Sequence, residues 1–253
     1  MLILLSPSKS LDFENGHTAA HTKIRFQKDT QELVDLLKTK KATYLKQLMG
    51  ISDKLADLNV ERYQSFKFPM NEKNAKQAVL AFKGDVYTGL DAENLSDEDL
   101  TFAQDHLRIL SGLYGVLRPL DLIQPYRLEM GIKLTNAKGK NLYTFWGSKI
   151  ADLLNEDART DQYNTIINLA SKEYFKAVNQ KVIEAKIINI NFKELRGDTY
   201  KIISFNAKKA RGLMSRYIIQ NRLTEPEAIK AFNLDNYLFN DELSTDTEWL
   251  FTR

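Results

Sequence analysis

The 253-residue chain contains no cysteine, which excludes disulfides, thiolate metal sites and a cysteine nucleophile. Histidine is nearly as scarce: His17, His21 and His106 are all there is for imidazole chemistry. His17 and His21 stand four apart in a polar stretch without the glutamate of a zinc-binding helix, and His106 sits in "QDHLR". No metal site is expected from such a set. A Walker loop, a dinucleotide-binding glycine fingerprint and a nucleophile elbow are missing too, so no cofactor is expected.

No apolar run approaches the roughly 18 residues of a membrane span. The start, "MLILLSPSKS", is too short and lacks the charged lead of a signal peptide. A cytoplasmic protein without membrane contact is therefore expected. Internal repeats, low-complexity tracts and Gly/Ser/Pro linkers are absent as well. At this length, one domain over 1–253 is the simplest organisation, with two intimately packed lobes as the alternative. The sequence leaves the oligomeric state open, with a monomer favoured. The formal net charge is only +3, so anion binding has to come from local clusters.

What is present reads as α/β, a mixed sheet surrounded by helices. "LILLS" (2–6), "TIINLA" (165–170), "AKIINI" (185–190) and "YKIISF" (200–205) are strand candidates, and "AVLAF" is strand-like. Helical spacing marks 29–49 as one or two helices, and also 53–66, 96–110 and 143–157. Helix 96–110 has a serine cap, acids in its first turn, and Leu100, Ala103, Leu107 and Leu110 on one face. Strands 2–6, 165–170 and 200–205 all pass into small polar residues and then lysine. In a sheet their ends gather Ser6, Ser8, Lys9, Ser171, Lys172, Ser204, Lys208 and Lys209 along one edge. Polar strand ends and surface lysines are also common without any function.

Two segments point to anions. On a helical wheel, "AKKARGLMSRYIIQNR" (207–222) puts Lys208, Lys209, Arg211, Arg216 and Arg222 on one side, with Gly212 and Ser215 between them. No acid occurs between Tyr200 and Leu223. A phosphate could approach that helix between the flanking cations; an ordinary amphipathic helix with a solvated cationic face has the same pattern. In "ILSGLYGVLRPLDLIQPYRLEM" (109–130), Gly112 and Gly115 read as a turn between two helices, whose amides would meet phosphate beside Arg118. A purely structural corner needs the same glycines. The polar loops also offer Lys83 with Asp85, and Arg127 with Glu129.

The segments "SPSKSLDF", "AFKGDVYTGL", "LSGLYGVLRPLDLIQPYRLEMG", "YTFWG", "INLASKEYFK" and "KIISFNAKKARGLMSRYIIQNRL" together resemble the YaaA family of bacterial peroxide-stress proteins. The likeness runs from Met1 to about Phe239. It implies a cytoplasmic protein that limits iron-driven oxidative damage and binds double-stranded or branched DNA, largely without sequence specificity. It also implies an α/β fold with a basic cleft and a helix-hairpin-helix element. That element falls on Ser111, Gly112, Leu113, Tyr114, Gly115 and Val116, followed by Arg118. The cleft falls on Lys9, Lys83, Arg127, Lys208, Lys209, Arg211 and Arg216. No catalytic residue transfers with the resemblance. The alternative is an enzyme acting on a nucleotide or nucleic acid, with Ser6, Lys9, Lys83, Asp85, Arg127 and Glu129 converging at the strand ends. Direct iron sequestration ranks last, because hard-ligand clusters are missing.

Overall fold

A computed structural model describes residues 1–14 and 20–253, leaving His17 outside the described residues. The chain runs from β1 (Leu2–Leu5) through β2 (Ser10–Leu11) into α1 (Gln27–Lys38), α2 (Ala42–Met49) and α3 (Asp53–Ser65). Next come β3 (Lys76–Gln77), α4 (Ala78–Ala81), β4 (Phe82–Lys83), α5 (Asp85–Leu90) and α6 (Asp97–His106). The middle holds β5 (Leu107–Ser111), β6 (Gly115–Leu117), β7 (Leu122–Ile123), α7 (Leu142–Trp146) and α8 (Lys149–Thr160). The last part holds β8 (Thr165–Asn168), α9 (Lys172–Phe175), β9 (Lys186–Arg196), β10 (Thr199–Lys201), α10 (Ser204–Gln220), β11 (Leu238–Phe239) and β12 (Glu248–Thr252).

The result is α/β. Seven strands lie in the order β11-β12-β9-β8-β1-β5-β6, and β10 pairs with β9 to make an eight-stranded mixed sheet. From β12 to β5 all neighbours are parallel; β6, β10 and β11 pair antiparallel with theirs. β1 is central, with Ile3 opposite both Leu107 of β5 and Ile167 of β8. All four residues of β1 are buried, as a continuous apolar strand covered on both faces should be, and β8 is buried too, with the polar Thr165 and Asn168 at its ends. β9 instead alternates, turning Ile188, Ile190, Phe192 and Glu194 inward. Among the described residues no helix is long and apolar enough to cross a membrane.

Several expectations change. Helix 96–110 stops at His106, and Leu107–Ser111 continues as a strand that turns through residues 112–114 and pairs antiparallel with Gly115–Leu117. No helix-hairpin-helix forms there. The cause is tertiary: Leu107, Arg108 and Ile109 pair with β1 and Leu110 with Val116 of β6, and the segment is covered on both faces, which erases the alternation of an exposed strand. Ala78–Ala81 is a helical turn, so only Phe82 and Lys83 of "AVLAF" and its lysine are extended. The 143–157 segment splits at Gly147, whose φ of +53° ends α7 before α8 begins. β10 is only three residues long, because α10 already starts at Ser204.

Candidate functional site at the strand ends

β5 and β8 flank β1 on opposite sides, so successive connections leave β1 in opposite directions. In such sheets a crevice opens at the carboxyl ends of the strands. Here it is bounded by the loops after β1 (residues 6–10) and β8 (169–171), by the start of α5, and by α10. The backbone N–H of Ser171 donates to Ser6 Oγ at 2.8 Å, which ties the two loops together. The Tyr87 hydroxyl donates to the Ser6 carbonyl at 3.1 Å, holding α5 against the same loop. Gly84 adopts φ +115°, and a Cβ there would meet Ser8 Oγ at 2.9 Å. The space these elements enclose is about 470 Å³, with Ser6, Lys9, Asp85, Glu129, Lys208 and Arg211 in its wall and Tyr87 and Tyr174 as aromatic sides.

The charges in this wall are unevenly matched. Lys9 and Arg127 each approach Glu129 Oε1 at 3.1 Å, and Lys208 faces Asp85 at 3.8 Å. Arg211 makes no ion pair among the described residues, and its Nε is buried without a hydrogen-bond partner. Burial alone lowers its pKa from the ordinary arginine value. Glu129 Oε2 and Arg127 Nε are likewise buried without partners. Burial pushes the Tyr87, Tyr126 and Tyr174 phenols above their usual range, so they stay protonated. Among the described residues no group of three or more histidines and carboxylates is placed to hold a metal ion.

Gly112 explains how Glu129 reaches this position. A Cβ on Gly112 would lie 2.2 Å from the Leu128 carbonyl oxygen, so the backbone of 128–129 rests directly on the end of β5. The Trp146 Nε1–H closes the other side with a 3.0 Å bond to the Gly112 carbonyl. Ser111, Gly112, Tyr114 and Gly115 are all buried, and a Cβ on Gly115 would strike the rings of Trp146 and Phe26. The Tyr114 N–H donates to Ser111 Oγ at 3.1 Å, and the expected turn between two helices is a buried turn between two strands. Arg118 lies outside the cavity, bonded by Nε and Nη2 to the fully buried Asp121 at 3.2 and 3.1 Å.

Of the expected cleft residues, Lys9, Lys208 and Arg211 share the cavity. Lys83 turns to Glu93 at 2.5 Å and Asp12 at 3.6 Å. Arg127 lies behind Glu129 in a small side pocket, and Lys209 is half-buried on α10, outside the cavity lining. Arg216 donates to the carbonyls of Leu90, Asp91 and Asn94, and Arg222 pairs with Asp99. The face of α10 between those cations is closed: Cβ atoms on Gly212 and Gly89 would lie 1.8 Å from the Val86 carbonyl oxygen and 2.2 Å from that of Lys209. Smallness there serves helix-to-helix contact, not phosphate approach. Tyr87, Tyr174 and Glu173 were not anticipated, and only the last two have a local signal, in "SKEY" directly after a strand.

A central parallel sheet with a polar, cation-lined pocket at the carboxyl ends of its strands places the chain among α/β proteins that carry their site at a topological switch point. Within that class, residues 1–243 match the family described as "Peroxide stress protein YaaA", and the chain belongs to it. UPF0246 proteins of Hahella chejuensis and Teredinibacter turnerae are each 56% identical over 254 aligned residues, covering 100% of this chain and 99% of theirs. One from Acaryochloris marina is 53% identical over 253 residues and the full length of both chains.

Proposed function

We propose that this peroxide-stress protein works in the cytoplasm by binding DNA through its phosphates, with one nucleotide seated in the strand-end cavity, and so limits iron-driven oxidative damage. The observation that carries the reading is Arg211, a half-buried arginine in the wall of a nucleotide-sized space, whose Nε is buried without a hydrogen-bond partner and which makes no ion pair among the described residues. A desolvated, unpaired arginine is costly unless an anion completes it. Lys9 and Lys208 stand in the same wall, and the half-buried Lys209 follows on α10. Phosphate contact carries no base information, so sequence preference is weak. An intact duplex is too wide to enter 470 Å³, which favours bulged, branched or unpaired positions where a nucleotide leaves the stack.

Fluorescence anisotropy with a fully paired 30-mer and the same duplex bearing a one-nucleotide bulge tests this. The bulged duplex should bind more tightly, with affinity falling as salt rises. Arg211→Gln should weaken it roughly 10- to 100-fold, as expected for one lost charge-assisted bond, and should lower the salt slope by about 1. An Arg211→Gln protein that binds like wild type refutes the reading.

A further inference from the structure

Behind Glu129 the cavity continues into a side pocket of about 10 Å³, lined by Ser8, Lys9, Tyr126, Arg127, Glu129 and Tyr174. That is close to the smallest space that admits one water. Two buried groups there lack partners among the described residues: Glu129 Oε2, an acceptor, and Arg127 Nε–H, a donor. A water needs such complementary partners. No residue of α10 lines this pocket, whereas Lys208 and Arg211 of α10 line the main cavity. The water position therefore lies away from the α10 cations that would hold the phosphate.

Resting on the nucleotide reading above, we infer that Glu129 is the general base of a hydrolytic centre that cleaves the N-glycosidic bond of the seated nucleotide. Glu129 differs from the other carboxylates of the wall in that its free oxygen is buried. Asp85 faces Lys208, Glu173 Oε1 accepts from the Gly131 N–H, and the Tyr87 hydroxyl donates to a carbonyl. Glu129 retains a free oxygen, fixed by Lys9 and Arg127 on its other one. In the step, the water oxygen bonds to C1′ as the bond from C1′ to the base nitrogen breaks. The water proton passes to Glu129 Oε2. The bonding pair leaves with the base, which takes a proton from the Lys9 ammonium, and Glu129 then returns its proton to Lys9. Water and nucleotide become free base and an abasic sugar phosphate, with no oxidant or reductant needed. Arg127 is a positioning residue.

The full-length protein is incubated with two bulged duplexes, one with guanine and one with 8-oxo-7,8-dihydroguanine at the bulge. Free base is measured by mass spectrometry and abasic sites by alkali cleavage, with anisotropy run on the same samples. Wild type should release base from at least one duplex. Glu129→Gln, compared at saturating protein, should slow release by at least about 100-fold. If Glu129→Gln misfolds, Lys9→Ala, at a side chain 63% exposed, should bind more weakly, as a cation of the wall is lost, and at saturating protein should slow release at least tenfold. Wild type that binds both duplexes yet frees no base overturns this inference and leaves the binding reading standing. Release undiminished in Glu129→Gln also overturns it; absence of binding overturns both.

Discussion

Replacing Gly212 with alanine separates two physical expectations that differ in sign. In a helix interior, glycine to alanine stabilises by roughly 0.5–1 kcal/mol through backbone entropy. At this position, however, the new methyl would lie 1.8 Å from the Val86 carbonyl oxygen, 2.7 Å from Leu90 N and 2.9 Å from the Val86 carbonyl carbon. All three are backbone atoms, so no side chain can swing away. Regaining van der Waals distance moves α10 from α5 by roughly 1.5 Å along a well-packed contact, and overpacking of that kind costs about 1–3 kcal/mol or more. The net expectation is a loss of about 2 kcal/mol, or roughly 4–8 °C in Tm for a chain of this size. Differential scanning calorimetry reads it directly. Because Gly89 meets the Lys209 carbonyl across the same contact, the Gly89→Ala/Gly212→Ala double variant should lose less than the sum of the single losses. A Tm equal to or above wild type for Gly212→Ala refutes the packing argument and leaves propensity in charge.

Two further outcomes concern buried ionisable groups. Asp157 accepts from Arg25 at 2.5 Å and from Arg108 at 2.6 Å, with the Arg108 side chain only 3% exposed; Asp157→Asn should destabilise by about 3–5 kcal/mol, read by urea titration, because it strands a buried arginine. Burial alone would raise the Asp157 pKa, but the bonds from Arg25 and Arg108 outweigh it and hold the carboxyl below the usual range. Its contribution is thus complete above about pH 4 and is lost as pH falls further. Burial lowers the pKa of His106, whose Nδ1 lies 2.8 Å from the Met1 carbonyl. The unfolded chain therefore binds a proton first, and stability should fall as pH drops below about 6.5; an NMR titration of the imidazole with a midpoint at or above that value contradicts the assignment.

Much of the frame was readable in the chain itself. "LILL" and "TIIN" are short apolar runs bounded by polar residues, and their shared Ser and Lys endings mark the sheet edge where the cavity lies. The hairpin at 107–117 was not readable, because a strand covered on both faces shows no alternation. Leu100, Ala103, Leu107 and Leu110 then match helical spacing as well as any true helix does. Gly212 and Ser215 were misleading for a related reason: a small residue signals close approach without saying what approaches. The Lys9–Glu129 contact lay beyond pattern, since the fold alone brings together residues so distant in sequence. "EWLFT" carries no amphipathic period, so β12 is not legible in the sequence although polar residues bound it.

The central place of β1 also governs how the chain reaches its fold. Residues 2–5 pair with segments about 100 and about 160 positions later, so the middle of the sheet closes only through long loops, and slow folding follows from such non-local pairing. During synthesis at roughly 5–20 residues per second, "LILL" stays an unpaired, wholly apolar strand for many seconds. Conditions that damage chaperones would therefore deplete newly made copies well before they unfold finished ones.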